Sequence, residues 1–231
     1  MENSRGSRSW WIAAAILTGL YGVLAVVVRI APNNGIDRSI FEWAAAWNVP
    51  FLDTTMDWMS WFTDLRPRLV VGLIGLLILV LSGRYRLAAV IAVVAAVTAI
   101  AANGLDLVGG IVAGRARPNG APFLAYPSGH TLGTIIQYAL GIYLVVRLTL
   151  HRRLLVPLVA LLALPIALVG PSRVLVGAHW STDVLGAYLL GVGTVIAVVL
   201  VLRAGEQRLA DRGILEPLLQ PTPDTPIGEQ S

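Results

Sequence analysis

The chain has 231 residues, of which 56% are hydrophobic and 13% charged, with a mean hydropathy of +0.75. Soluble domains carry about 25% charged residues, so this composition excludes an ordinary soluble globule and indicates an all-α, polytopic membrane helix bundle. There is no cysteine, which excludes disulfides, thiolate nucleophiles and Cys-based metal sites, and the net charge of +4 comes from arginines alone, in no basic run interleaved with aromatics such as a nucleic-acid surface requires.

A polar start with Arg5 and Arg8 precedes an apolar run from Trp10 to about Ile30. That format is shared by signal peptides, but the run is too long for their apolar region and no small-residue cleavage site stands beside Arg29, so a first span over 10–30 is expected. From Ala31 to Asp64 the acidic residues Asp37, Glu42, Asp53, Asp57 and Asp64 alternate with Trp43, Trp47, Trp58 and Trp61. Tryptophan favours the lipid–water boundary, so one or two interfacial helices are expected there, with the acidic residues solvated.

The apolar run Leu69–Leu81 is short for a crossing. A second span over 58–82 becomes long enough if the helix starts near Trp58 and Arg66 and Arg68 snorkel to the interface. The tight connection Gly83–Arg86 leads to a third span over 87–108, and a Gly- and Pro-rich loop from Gly109 to Pro127 leads to a fourth over 129–146. The basic turn Arg147–Arg153 precedes a fifth span over 154–169, which contains Pro157 and Pro165, and a sixth covers 181–202. The membrane domain is thus read as 1–208, and 209–231, rich in proline and without aromatics, as a disordered cytoplasmic tail. Six crossings put Arg5, Arg8, Arg84, Arg86, Arg147–Arg153, Arg203, Arg208 and Arg212 on one side, which the positive-inside rule makes cytoplasmic, together with both termini.

Arg115, Arg117 and Arg173 depart from that bias, and they fall where the chemistry-bearing residues gather. Pro127-Ser128-Gly129-His130 opens the fourth span, and a Ser-Gly turn at a helix start leaves free N–H groups at the positive end of the dipole, an anion site. Ser172-Arg173 precede His179, with Asp183 four residues later. If the helix begins by His179, both lie on one face and the carboxylate can orient the imidazole. An oriented histidine beside guanidinium groups suits phosphate chemistry.

Arg117-Pro118, Pro127-Ser128-Gly129-His130 and Ser172-Arg173-x5-His179-x3-Asp183 resemble, in order, the three motifs of the type 2 phosphatidic acid phosphatase superfamily. The resemblance covers roughly Trp10 to Arg203. One position departs: the lysine that opens the family's first motif is Gly110 here, and Arg115 is the candidate replacement for its charge. Asp106, one turn earlier, is expected to pair with an arginine or to be protonated.

The resemblance implies an integral membrane enzyme, of bacterial plasma-membrane type, that hydrolyses a lipid phosphate or diphosphate at its extracytoplasmic face. It needs no metal or other cofactor. Catalysis falls to His179 as nucleophile, Asp183 as its orienter and His130 as acid and base. Arg117, Arg173, Arg115, Ser128 and Gly129 bind the substrate phosphate. Polyprenyl diphosphate is the first candidate substrate, followed by phosphatidic acid and phosphatidylglycerol phosphate. A lipid-linked phosphotransferase and a non-catalytic lipid-headgroup binder or transporter are the alternatives, and the oligomeric state is left open.

Overall fold

A computed structural model describes residues 2–32, 34–47, 49–148 and 152–211. The expected disordered tail falls almost entirely outside the described residues, as does His151 of the basic turn. Among the described residues there are eight helices and no strand: α1 Glu2–Ile30, α2 Gly35–Ala45, α3 Pro50–Phe62, α4 Leu65–Leu81, α5 Tyr85–Ala113, α6 Gly129–Leu148, α7 Arg152–Leu175 and α8 Ser181–Asp211.

Among the described residues five segments are long and apolar enough to cross a membrane: Ser7–Ile30, Tyr85–Ala113, Gly129–Leu148, Arg153–Leu175 and Ser181–Arg208. The expected second span differs. Instead of one helix over 58–82, α3 ends at Phe62 and α4 starts at Leu65. The break has a local cause. The Thr63 hydroxyl turns back to the Met59 and Ser60 carbonyls, and the Asp64 carboxylate caps the Leu65 N–H at 2.7 Å. The remaining 17 residues of α4 rise about 26 Å, short of a hydrocarbon core of about 30 Å. Arg68 does not snorkel outward. Its guanidinium lies on α6 at Gly133, where a Cβ would stand 1.7 Å from Nη1.

Three other boundaries move. Gly109 and Gly110 are helical, because α5 runs on to Ala113 and is closed by Gly114 in the left-handed region at φ 57°. Gly109 serves close approach and not a turn, since a Cβ there would lie 1.8 Å from the Tyr21 hydroxyl. Helix α7 continues past 169 through Pro171 to Leu175, so Ser172 and Arg173 sit on its last turns and not in a loop. Helix α8 runs beyond Leu202, through the expected start of the tail, to Asp211.

Helix α8 is central, packed on α1, α5, α6 and α7. Small residues let it sit there. A Cβ on Gly193 would meet Thr18 Oγ1 and the Ala14 carbonyl of α1 at 3.1 and 3.2 Å, and one on Gly191 would meet Ile135 of α6 at 2.9 Å. The buried core joins Tyr21, Ala25 and Val28 of α1 to Tyr126, Leu132, Ala187 and Leu190. Tyr21 and Tyr126 stack at 5.4 Å, and the Tyr126 hydroxyl donates to the Tyr21 carbonyl at 2.7 Å. Apolar side chains along α1, α4, α5 and α7 face outward in large numbers, the pattern of a surface solvated by lipid.

Gly186 is one of the places where this packing leaves no room. A Cβ there would stand 2.5–2.6 Å from the ring and hydroxyl of Tyr126, which is 2% exposed and bonded at its hydroxyl. Gly186→Ala is therefore expected to destabilise the protein by about 1–3 kcal/mol, the usual cost of overpacking. A melting temperature in detergent equal to that of the unmodified protein would contradict this packing.

Candidate active site

The C-terminal ends of α5 and α7 and the N-terminal ends of α4, α6 and α8 meet at one end of the bundle. The connection 114–128 crosses that end and folds on itself through the Ala125 N–H, which donates to the Arg115 carbonyl at 2.9 Å. It enters α6 through a cis Tyr126–Pro127 bond.

His179 owes its place to how α7 ends. Gly177, at φ 67°, takes the left-handed conformation that reverses the chain, and the Ala178 and His179 N–H groups close back onto the Arg173 carbonyl at 3.0 and 3.1 Å. The histidine is thereby fixed beside the last turns of α7. Its side chain is 1% exposed, with Nδ1 2.8 Å from the Ala125 carbonyl. A carbonyl can only accept, so in the neutral ring Nδ1 carries the proton and Nε2 keeps its lone pair. Nε2 has no hydrogen-bond partner among the described residues.

The helical-face expectation for Asp183 is corrected. Helix α8 begins at Ser181, so His179 lies outside it. Asp183 comes near because it folds back to accept the Trp180 N–H at 2.9 Å, half of a capping box. Its Oδ2 lies 3.8 Å from His179 Nδ1, close enough for charge stabilisation but longer than a hydrogen bond. Ala125, which sequence reasoning missed, is the direct orienter. Burial pushes the imidazole below its usual pKa, and Arg117 and Arg173 add to this against the opposing Asp183 carboxylate. The neutral, nucleophilic form is favoured.

Around the ring, Arg117 is half-buried, its Nε on the Leu124 carbonyl at 3.4 Å and its guanidinium 5.7 Å from the Phe123 ring. Arg173 is 7% exposed, holds Ser60 of α3 through Nη1, and has no partner for Nε among the described residues. His130, in the first turn of α6, is partly exposed, with Nε2 3.5 Å from Asp64 Oδ1. Ser60 and Asp64 were also missed, because nothing in the spacing of the 31–64 segment ties it to this end of the bundle.

Two phosphate-binding expectations change. Ser128 is fully buried, its N–H donates to the Asp183 carbonyl at 3.1 Å, and its hydroxyl accepts from Thr131 at 3.0 Å, so it anchors α6 to α8. Gly129 does open onto free space, and the N–H groups of 129–131, ahead of the Leu132 bond to the Ser128 carbonyl, have no partner within their own helix. Arg115 is not turned to open space. It is 2% exposed and bonded to Asp37 at 2.7 Å and Thr182 at 2.7 Å, with Asp183 at 3.4 Å. It does not stand in for a lysine at 110, whose Cβ would press on Leu124 and the Tyr126 carbonyl at 3.1 Å. Asp106 makes no ion pair among the described residues, and its Oδ1 has no partner.

The family model described as the PAP2 superfamily matches residues 86–206. A curated relative, phosphatidylglycerophosphatase B of Bacillus subtilis (strain 168), is 35% identical over 86 residues. That alignment covers 33% of this chain and 41% of the relative's length, well under two thirds of it. A solved structure, a transmembrane PAP2-type phosphatidylglycerolphosphate phosphatase from Bacillus subtilis, superposes with a TM-score of 0.66 at 22% identity. It covers 85% of this chain and 96% of that one, a likeness that carries the fold. With its apolar helices, this chain is an integral membrane protein of all-α class.

Proposed function

Because the chain belongs to the PAP2 superfamily, we propose that it is a lipid phosphate phosphatase that works through a phosphohistidine on His179. The observation that carries this reading is the imidazole itself: Nδ1 set on the Ala125 carbonyl, Nε2 unpartnered, and two arginines nearby. Nε2 attacks phosphorus in line, forming the P–N bond as the P–O bond to the lipid breaks. Protonated His130 delivers its proton to the departing oxygen, then takes one from the water that cleaves the P–N bond and releases inorganic phosphate. Asp183 stabilises the imidazolium formed on attack. Arg117, Arg173 and the free N–H groups at the start of α6 balance the charge on the equatorial oxygens.

The site is assigned to the extracytoplasmic side of a bacterial plasma membrane. Arg84 and Arg86, Arg147, and Arg203 and Arg208 lie at the opposite end, which the positive-inside rule makes cytoplasmic. Both termini go with it because α4, although short, runs from the site end, where Asp64 faces His130, back to Arg84 and so adds a sixth passage. The relative's name moves phosphatidylglycerol phosphate to the head of the candidates, ahead of polyprenyl diphosphate and phosphatidic acid.

The test is a panel of these three lipids, labelled at the terminal phosphorus, with purified protein in the presence and absence of EDTA. All label should leave as inorganic phosphate, and EDTA should not slow the reaction, because arginines carry the charge work here. Label passed to an added lipid alcohol would make the protein a transferase, and no turnover on any member would overturn the reading.

A further inference from the structure

We propose that Asp37, on the short helix α2, is a positioning residue for the His179–Asp183 pair, acting through Arg115 and the first turn of α8. The proposal rests on His179 being the nucleophile.

Asp37 is 1% exposed, and both of its carboxylate oxygens are fully engaged. Oδ1 accepts from the Ser181 hydroxyl at 2.5 Å and the Thr182 N–H at 2.9 Å. Oδ2 accepts from the Thr182 hydroxyl at 2.6 Å, Asn34 Nδ2 at 2.7 Å and Arg115 Nη2 at 2.7 Å. Burial alone would raise its pKa, but the bonds from Ser181, Thr182 and Arg115 outweigh it and hold the carboxylate below its usual range. It is a buried anion, not the solvated residue that its acidic, Trp-rich surroundings suggest.

From Asp37 the chain of contacts leads to His179 through two intermediaries, Arg115 and Asp183. The same guanidinium that Asp37 holds through Nη2 reaches Thr182 Oγ1 and Asp183 Oδ1 through Nη1. Asp183 in turn faces His179 and the Trp180 N–H. Trp180 is clasped as well, with Arg115 4.7 Å over its ring and Phe41 of α2 at 5.4 Å on centroids.

Two features make this a matter of geometry and not only of stability. The N-terminus of α8 already has a cap in Asp183, yet a second carboxylate is brought to it from far along the chain. A buried ion pair is also weak ground for stability, because desolvating both partners offsets most of their attraction. What Asp37 adds is a counterweight. Arg115 sits between two carboxylates. Without the negative charge of Asp37, the guanidinium has Asp183 as its remaining anionic neighbour and is drawn toward it. That movement takes the carboxylate away from the imidazole it must stabilise. Asp37 touches no substrate, so its loss should fall on kcat and leave KM alone.

The experiment measures kcat and KM per folded protein for Asp37→Asn, Arg115→Gln and the double variant, each well below its melting temperature, on the best lipid phosphate of the panel. Asp37→Asn should lower kcat about 30-fold, within the range typical of groups that orient a reacting residue, with KM within about threefold. The double variant should be no worse than the poorer single variant, since both act on Asp183 by one route. If Asp37→Asn does not fold, Thr182→Val is read in its place. It removes the hydroxyl that bridges Asp37 and Arg115 and should lower kcat alone, by about fivefold. A folded Asp37→Asn or Thr182→Val with wild-type kcat, or single losses that multiply in the double variant, would overturn the proposal while leaving the phosphatase reading intact. An inactive parent protein, or an active His179→Ala, would remove the nucleophile assignment and this proposal with it.

Discussion

His179→Ala should lower turnover of a lipid phosphate by about 10⁴-fold or more, as loss of a nucleophile does where no other group can take its place. The substitution deletes the one ring nitrogen in the site that is both held by its tautomer and unpartnered. Because His179 and Asp183 act as a unit, adding Asp183→Asn to His179→Ala should cost nothing further. A labelled substrate quenched in alkali should leave label on the parent protein, since phosphohistidine survives base and not acid, and none on the variant. Turnover within tenfold of the parent would remove the nucleophile assignment.

His130→Gln is expected to reduce turnover by about 10²–10⁴-fold, the usual contribution of a placed acid–base group. The size of the loss should depend on the leaving group. A lipid alkoxide needs the proton that His130 supplies, whereas an aryl phosphate departs without it, so the first step on an aryl ester should be far less affected. Water attack on the phosphohistidine still lacks its base, and labelled protein should accumulate. An equal loss on alkyl and aryl esters, with no accumulation, would mean that His130 serves phosphate binding and not proton transfer. Its position fits the proton role: it is part-exposed at the first turn of α6, and its Nε2 has only the 3.5 Å contact with half-exposed Asp64 to give up when a substrate arrives.

The elements that were legible in the sequence were those governed by local pattern. The apolar runs that became α1, α5, α6, α7 and α8 had to be helices, because in lipid only helices and closed barrels satisfy their own backbone groups. Their ends were read less well for one repeated reason. Glycine and proline act as breakers in isolation, but here Gly109 is a contact surface for Tyr21, and Pro171 lies inside α7. The break between α3 and α4 went the other way, as a single carboxylate cap at Asp64 stopped a helix that apolar content would have continued.

Composition and motif order by themselves determined that this is a helical membrane protein and that His130, His179, Asp183, Arg117 and Arg173 share one end of it. Those are properties of each segment's own residues and of how many times the chain crosses. Which atom does what was decided only by the tertiary structure. The carbonyl that sets the His179 tautomer belongs to Ala125, 54 residues away along the chain, and no side-chain pattern encodes a carbonyl. Arg115 was read as a phosphate ligand and proved to be tied to Asp37, 78 residues distant, because a guanidinium goes to whichever anion the fold brings to it.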